Sequence, residues 1–337
     1  MFHLKSSFRF PDGRVWRGHL LSLAATAGVL AFAFAAIAGD QPVHLAPKFT
    51  KGQTLRYRIE NEITITGQIT TPIANPEGAS KFEQSANLIV RLDVLDVGGQ
   101  GGAIRLRATY EKSDAQSHGN GFDAEAQSLD SRYKQLQGHS VEFTILPSGD
   151  LSDFRGLEDI FPNRSQADAV LSWARSISAG QAFPRSGIRI GQRWHSDSLV
   201  SGSPLQGLAW HADSKYLRDE ACEAPDAAPG PLEAADAKDN CAVILTDVSL
   251  VRHGSDSDAT PETYRRNGLR TSGQWTGAGD SLDFISLPTG FLVRSTQTSS
   301  QDMDYRIVSA ISGSEIHRVG HVQTQTEITL LRVPPSP

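Results

Sequence analysis

Few residues in this chain have the types and spacing that chemistry needs. Gly279-Asp280-Ser281-Leu282 spells a motif known from serine esterases, in which the serine hydroxyl needs a base to take its proton. In those enzymes the block lies near the start of an α/β domain and an Asp-x-x-His element follows near the end. Here it lies late in a β-patterned region, and no Asp-x-x-His comes after it. His317 and His321 form His-x-x-x-His, which on a helix would aim two imidazoles at one zinc ion. The flanking pattern is β-like, where residues four apart stand ~13 Å from each other at a rise of ~3.3 Å. Glu158-Asp159 and Asp302-x-Asp304 offer carboxylate pairs, but catalytic acids must converge in space, and adjacency in sequence does not supply that. Gly-x-Ser-x-Gly, Walker and dinucleotide fingerprints are absent. The reading therefore assigns no catalytic residue, no cofactor and no metal ligand.

The elements that would position such residues are mostly strands. From Thr54 to Ile69 the apolar residues Leu55, Tyr57, Ile59, Ile63, Ile65 and Ile69 fall on odd positions with polar residues between, which predicts a long strand with one wet face. Phe82 to Asp96 alternates on even positions, Gly-Gly-Gln-Gly-Gly at 98–102 turns the chain, and Ile104, Leu106, Ala108 and Tyr110 resume. Helices are expected at Asp123–Gln137 and at Ser165–Ser178, where apolar residues recur three and four apart. The second half returns to strands around Leu208–Tyr216, Ala242–Leu250, Ser281–Leu287, Phe291–Thr298, Met303–Ile311 and Val322–Leu331. Strands that follow one another without helices between them argue antiparallel hairpins.

Two phrases recur. Val141-Glu-Phe-Thr-Ile-Leu-Pro-Ser-Gly-Asp-Leu151 is echoed 141 positions later by Leu282-Asp-Phe-Ile-Ser-Leu-Pro-Thr-Gly-Phe-Leu292. Lys51-Gly52-Gln53-Thr54-Leu55 is echoed 139 positions later by Ile190-Gly191-Gln192-Arg193-Trp194. In the first pair, proline presets φ for a tight turn and glycine takes the positive φ that re-enters a strand. Two landmarks in one order at nearly one offset predict an internal duplication, with related halves at 48–180 and 185–333.

The N-terminus carries Lys5, Arg9, Arg14 and Arg17 ahead of the uncharged segment Leu20–Ala38, which ends in Ala36-Ile37-Ala38. That order is a secretory signal, residues 1–38, with cleavage after Ala38. The alternative is an uncleaved 20–38 segment anchoring the chain in the inner membrane. Removing residues 1–38 moves the formal net charge from −6 to −9. So acidic a chain is repelled by phosphate backbones, which excludes nucleic acid as a partner, and the mature part contains no membrane span. Cys222 and Cys241 bracket a solvated Ala, Pro and acid-rich insert, and export to an oxidising compartment predicts a disulfide across its base.

The signal segment, Gly52-Gln53-x-Leu55-x-Tyr57, Gly191-Gln192-x-Trp194, the Cys241-Ala242-Val243-Ile244 strand and the two Pro-x-Gly hairpins resemble exported bacterial families of unknown function. Such families are similar to the periplasmic lipoprotein-carrier fold. The resemblance implies a strongly curved antiparallel sheet around an apolar surface, and it supplies no catalytic residue.

The sequence thus reads as an exported, mainly β protein (β-rich α+β), periplasmic or extracellular. It is expected to have two tandem lobes of curved antiparallel sheet and a few short helices. The leading function is non-catalytic binding or carriage of an apolar, lipid-like ligand, on a face lined by Trp210, Ala212, Ile244 and Phe284. The runner-up is a structural module without a small-molecule ligand that docks an envelope protein partner through exposed strand edges or loops.

Overall fold

The computed structural model describes residues 41–71, 80–98, 102–120, 123–161, 171–178, 183–184, 186–200, 203–222, 239–255 and 258–331. The signal segment and its cleavage site at Ala38 lie outside the described residues. No helix among the described residues is long and apolar enough to cross a membrane.

The chain is mostly β. Its strands are β1 (Thr54–Thr70), β2 (Ser80–Val97), β3 (Ile104–Asn120), β4 (Ser140–Ile145), β5 (Leu151–Arg155), β6 (Arg193–Leu199), β7 (Leu208–Ala221), β8 (Asn240–Arg252), β9 (Leu269–Ser286), β10 (Leu292–Ser309) and β11 (Glu315–Leu330). Three helices are described: α1 (Asp123–Leu136), α2 (Ser172–Ser178) and α3 (Glu262–Arg266). All eleven strands form one antiparallel sheet in the order β5-β4-β3-β2-β1-β11-β10-β9-β8-β7-β6.

Alternation decides the faces. The inner face carries Leu55, Tyr57 and Ile59 of β1, Leu88, Val90 and Leu92 of β2, and Leu106, Ala108 and Tyr110 of β3, all buried. They share one core with Tyr133 and Leu136 of α1, with Trp173, Ala174 and Ile177 of α2, and with Tyr216, Ile244, Ile285 and Ile328 from the other half of the sheet. Residues from both halves bury one another, so the sheet bends around a common core. The Tyr57 hydroxyl reinforces this by donating to the Leu292 carbonyl at 3.1 Å, and burial holds its pKa far above the ordinary phenol value.

The repeated phrases adopt matching turns. Leu146–Gly149 joins β4 to β5 and Leu287–Gly290 joins β9 to β10, and both glycines have positive φ, 87° and 70°. Gly52 and Gly191 share φ 83°, and each donates its N–H to the neighbouring strand, to Val94 and Tyr216 respectively. The Gln53 and Gln192 side chains accept from the backbone N–H three residues back, Thr50 and Arg189. From β1 to β5 and from β6 to β10 the strands step across the sheet in the same direction, each pairing with the next, with β11 lying between β1 and β10. The halves at 48–180 and 185–333 nonetheless make one sheet, within one compact unit that spans Pro42–Pro337.

Several boundaries differ from the sequence reading, among them that of β11, which begins at Glu315 and not at Val322. The stretches Phe291–Thr298 and Met303–Ile311 are one strand, β10, because the polar run Gln297–Gln301 between them continues the ladder. β9 begins at Leu269, well before Ser281, through a Gly- and Ser-rich stretch without apolar contrast. The second expected helix is described only as α2, and Ser165, Ala167 and Val170 lie outside the described residues.

The disulfide is formed: Cys222 and Cys241 are bonded, with Cα atoms 5.1 Å apart. Cys241 points to the outer face, where it packs with Val243, Phe284, Leu217 and Leu282.

Candidate functional site

Beyond the common core the inner face of β6 to β11 turns polar, and a cleft of about 450 Å³ opens there. Its floor is two cross-strand rows. Thr326, Gln297, Ser281, Thr246, Ser214 and Trp194 sit opposite one another in register from β11 to β6. Thr324, Ser299, Gly279, Val248, Ala212 and Ser196 form the next row. Because side chains alternate along each strand, residues chosen two apart on adjacent strands build a continuous surface.

One end of the cleft is aromatic. Trp194 meets Phe183 edge-on, 5.4 Å between ring centroids, and Trp210 lies on the neighbouring strand. The opposite end is a hydrogen-bonded relay. The Gln297 amide donates to Ser176 of α2 at 2.8 Å and to Ser295 at 3.0 Å, and the Ser295 hydroxyl donates to Asp283 Oδ1 at 2.6 Å. Ser281 donates to the other carboxylate oxygen at 3.2 Å. Burial raises the Asp283 pKa, opposed by the two hydroxyl donors, so its proton is held more tightly than on an ordinary aspartate. Arg175 also borders the cleft.

The expected lining residues separate. Trp210 and Ala212 line the cleft. Ile244, on the same face, is 1 % exposed and belongs to the core beside it. Phe284 is not part of the cleft: one position from Asp283, it points to the outer face, under the Arg294 guanidinium at 4.3 Å. The uncovered apolar face expected there is a hydroxyl-rich surface with an aromatic end.

The motifs singled out for chemistry are scattered. Ser281 faces the cleft, but its partner is Asp283, and no histidine among the described residues lines the cleft. Gly279 meets a packing need, since a Cβ there would run into the Thr298 carbonyl. His317 and His321 lie along β11 and pair separately, with Asp304 at 2.8 Å and Asp302 at 2.7 Å, so they do not share a site. Glu158 caps a turn by accepting from the Gly156 N–H at 2.7 Å.

Sequence reasoning missed two groups. The Ser, Thr and Gln residues of the cleft carried a signal, alternate polar positions inside long strands, that a search for apolar alternation passes over. The other is His195, Asp197 and His211 on the β6–β7 hairpin, whose donor atoms all lie within 4.8 Å of one another and could hold a metal ion. A second depression, about 580 Å³ and lined by Glu62, Asp247, Asp280 and neutral polar residues, lies on the outer face without an aromatic residue.

No family model and no curated relative matches the chain. Among solved structures it is similar to the outer membrane protein OprG from Pseudomonas aeruginosa at 9% identity, covering 86% of this chain and 99% of that one with a TM-score of 0.18. An outer membrane channel from Pseudomonas putida F1 is 7% identical over 85% of this chain and 97% of that one, TM-score 0.19. The CymD monoaromatic hydrocarbon channel is 11% identical over 85% and 90%, TM-score 0.12. The expected lipoprotein-carrier fold is not among these likenesses.

Proposed function

We propose that the mature chain is an exported, non-catalytic binding protein of the cell envelope, and that its cleft on the inner face of β6–β11 takes a small amphipathic molecule. The observation that carries this reading is the division of one cleft into an aromatic end, with Trp194 and Trp210, and a floor of hydroxyls and amide leading to the buried Asp283. About 450 Å³ falls within the roughly 300 to 1,000 Å³ range of small-molecule sites. The apolar ligand expected from the strand pattern needs a polar edge as well, because a bare acyl chain would bury hydroxyls against hydrocarbon. A ring with one flat apolar face and hydroxyl substituents satisfies both ends: the face stacks on tryptophan, and the rim exchanges hydrogen bonds with Ser214, Thr246, Ser281 and Gln297.

The test pairs native mass spectrometry of protein isolated from its own envelope with tryptophan-fluorescence titration by an aryl glycoside and by a fatty acid. Saturable quenching by the aryl glycoside, lost in Trp210→Ala, supports the reading. Response to the fatty acid alone would return the ligand to the lipid class. Response to neither, with no co-isolated mass, removes the cleft as a binding site and favours the docking-module reading. That second reading has its own support: among the described residues β6 pairs on one side only, and Leu199 at its end is 84% exposed.

A further inference from the structure

We propose that the outer face of the β6–β7 hairpin is a binding site for a divalent transition-metal ion of the zinc, copper or nickel type, held by His195, Asp197 and His211. The register makes the site. His195 stands directly opposite Asp213, and Asp197 directly opposite His211, so the four side chains share one face while Trp194, Ser196, Trp210 and Ala212 between them face the cleft.

Two imidazoles converge on a single carboxylate oxygen. His195 Nε2 lies 2.7 Å from Asp197 Oδ1, and His211 Nδ1 lies 2.6 Å from the same atom. Their rings are nearly parallel, 18° apart with centroids at 5.9 Å. Two hydrogen bonds to one oxygen are more than a surface ion pair needs. With the ring proton on the opposite nitrogen, His195 Nε2 and His211 Nδ1 are two nitrogen donors beside an anionic oxygen, and a metal ion among them needs the set to open by only some tenths of an ångström.

Asp213 supplies a separate argument. It accepts from the other nitrogen of His195, Nδ1, at 3.2 Å, the carboxylate–histidine arrangement that fixes tautomer and ring orientation behind a metal-bound imidazole. His253 stands edge-on to His211 with centroids 5.6 Å apart, placing a third imidazole at the rim. Nitrogen with carboxylate donors selects a borderline metal over calcium or magnesium, which prefer sets made wholly of oxygen.

The experiment is calorimetric titration of the mature chain, made without a polyhistidine tag and stripped with EDTA, with zinc chloride and separately with calcium chloride. One zinc per chain is expected, with no calcium heat. His195→Gln and His211→Gln should each weaken zinc binding about tenfold or more, and Asp213→Asn should weaken it less. Asp197→Asn, on an exposed strand position, serves as a further ligand variant should either histidine variant misfold. His317→Gln, which removes a different His–Asp pair, should leave the titration unchanged. Absence of one-to-one zinc binding, binding that survives loss of His195 and His211, or binding lost with His317 overturns the proposal.

Discussion

Asp283 on β9 and Ser295 on β10 lie directly opposite each other on the inner face, and the Ser295 hydroxyl donates to the Asp283 carboxylate over 2.6 Å. A buried carboxyl with hydroxyl partners binds a proton more tightly folded than unfolded, where it has the ordinary value of about 3.9. The linkage has a definite sign. The contribution is fully present below the unfolded pKa and is lost as pH rises through the raised folded value. Asp283→Asn is therefore expected to raise Tm relative to the parent at pH 7 to 8, with the gap closing near pH 4. Thermal melts across that range check it, and a variant destabilised at pH 8 would contradict the assigned direction.

Trp210→Ala and Trp194→Ala should each cost the cleft ligand about 2 kcal/mol, some thirtyfold in Kd, because each removes aromatic area from the apolar end. Ser214→Ala should cost less, since Ser214 and Thr246 already satisfy each other at 2.9 Å. Fluorescence titration with an aryl glycoside measures all three.

Replacing Cys222 and Cys241 together by serine should lower stability by roughly 3 kcal/mol, the loop-closure value for a separation of 19 residues. Denaturant melts in oxidising buffer give the difference, and adding a reductant to the parent should reproduce it.

Gly290 and Gly52 both have positive φ, 70° and 83°, but their surroundings differ. A Cβ at Gly290 would run into the carbonyl oxygens of Leu45 and Ala46, while one at Gly52 meets nothing within 4 Å. Gly52→Ala should cost about 1 kcal/mol, the strain of the left-handed backbone alone. Gly290→Ala should cost about 3 kcal/mol or more, because the Leu45–Lys48 segment must also move. Urea unfolding of the two variants separates the cases.

The long strands of the first half were legible because the contrast across the sheet was sharp: Tyr57 and Ile59 are buried while Glu60 is exposed. The middle of β10 was not, because Gln297 and Ser299 on one face meet the cleft while Thr298 and Ser300 alternate with them on the other, so both faces read as polar. Periodicity reports a difference between faces, and a cleft made of hydroxyls erases it. Asp283 and Phe284 show the same limit. The aromatic residue drew attention, while the acid beside it is the one turned inward. The hairpin of His195 and His211 needed the register of β6 against β7, which residues 16 apart do not declare. What sequence did declare was turn chemistry: the paired glycines at 52 and 191, and at 149 and 290, hold matching conformations.

Strand β11 lies between β1 and β10, with fourteen residue pairs on the β1 side running from Tyr57↔Leu330 to Thr70↔His317. A chain made from its N-terminus produces the middle of its sheet last. Until residue 330 has emerged, β1 and β10 each offer an open ladder to any extended segment nearby, including those of a second nascent copy. Completion is thus a single late event that zips the two outer flanks together, and a stop codon ahead of residue 315 would leave two half-sheets with sticky margins in place of a slightly shortened protein.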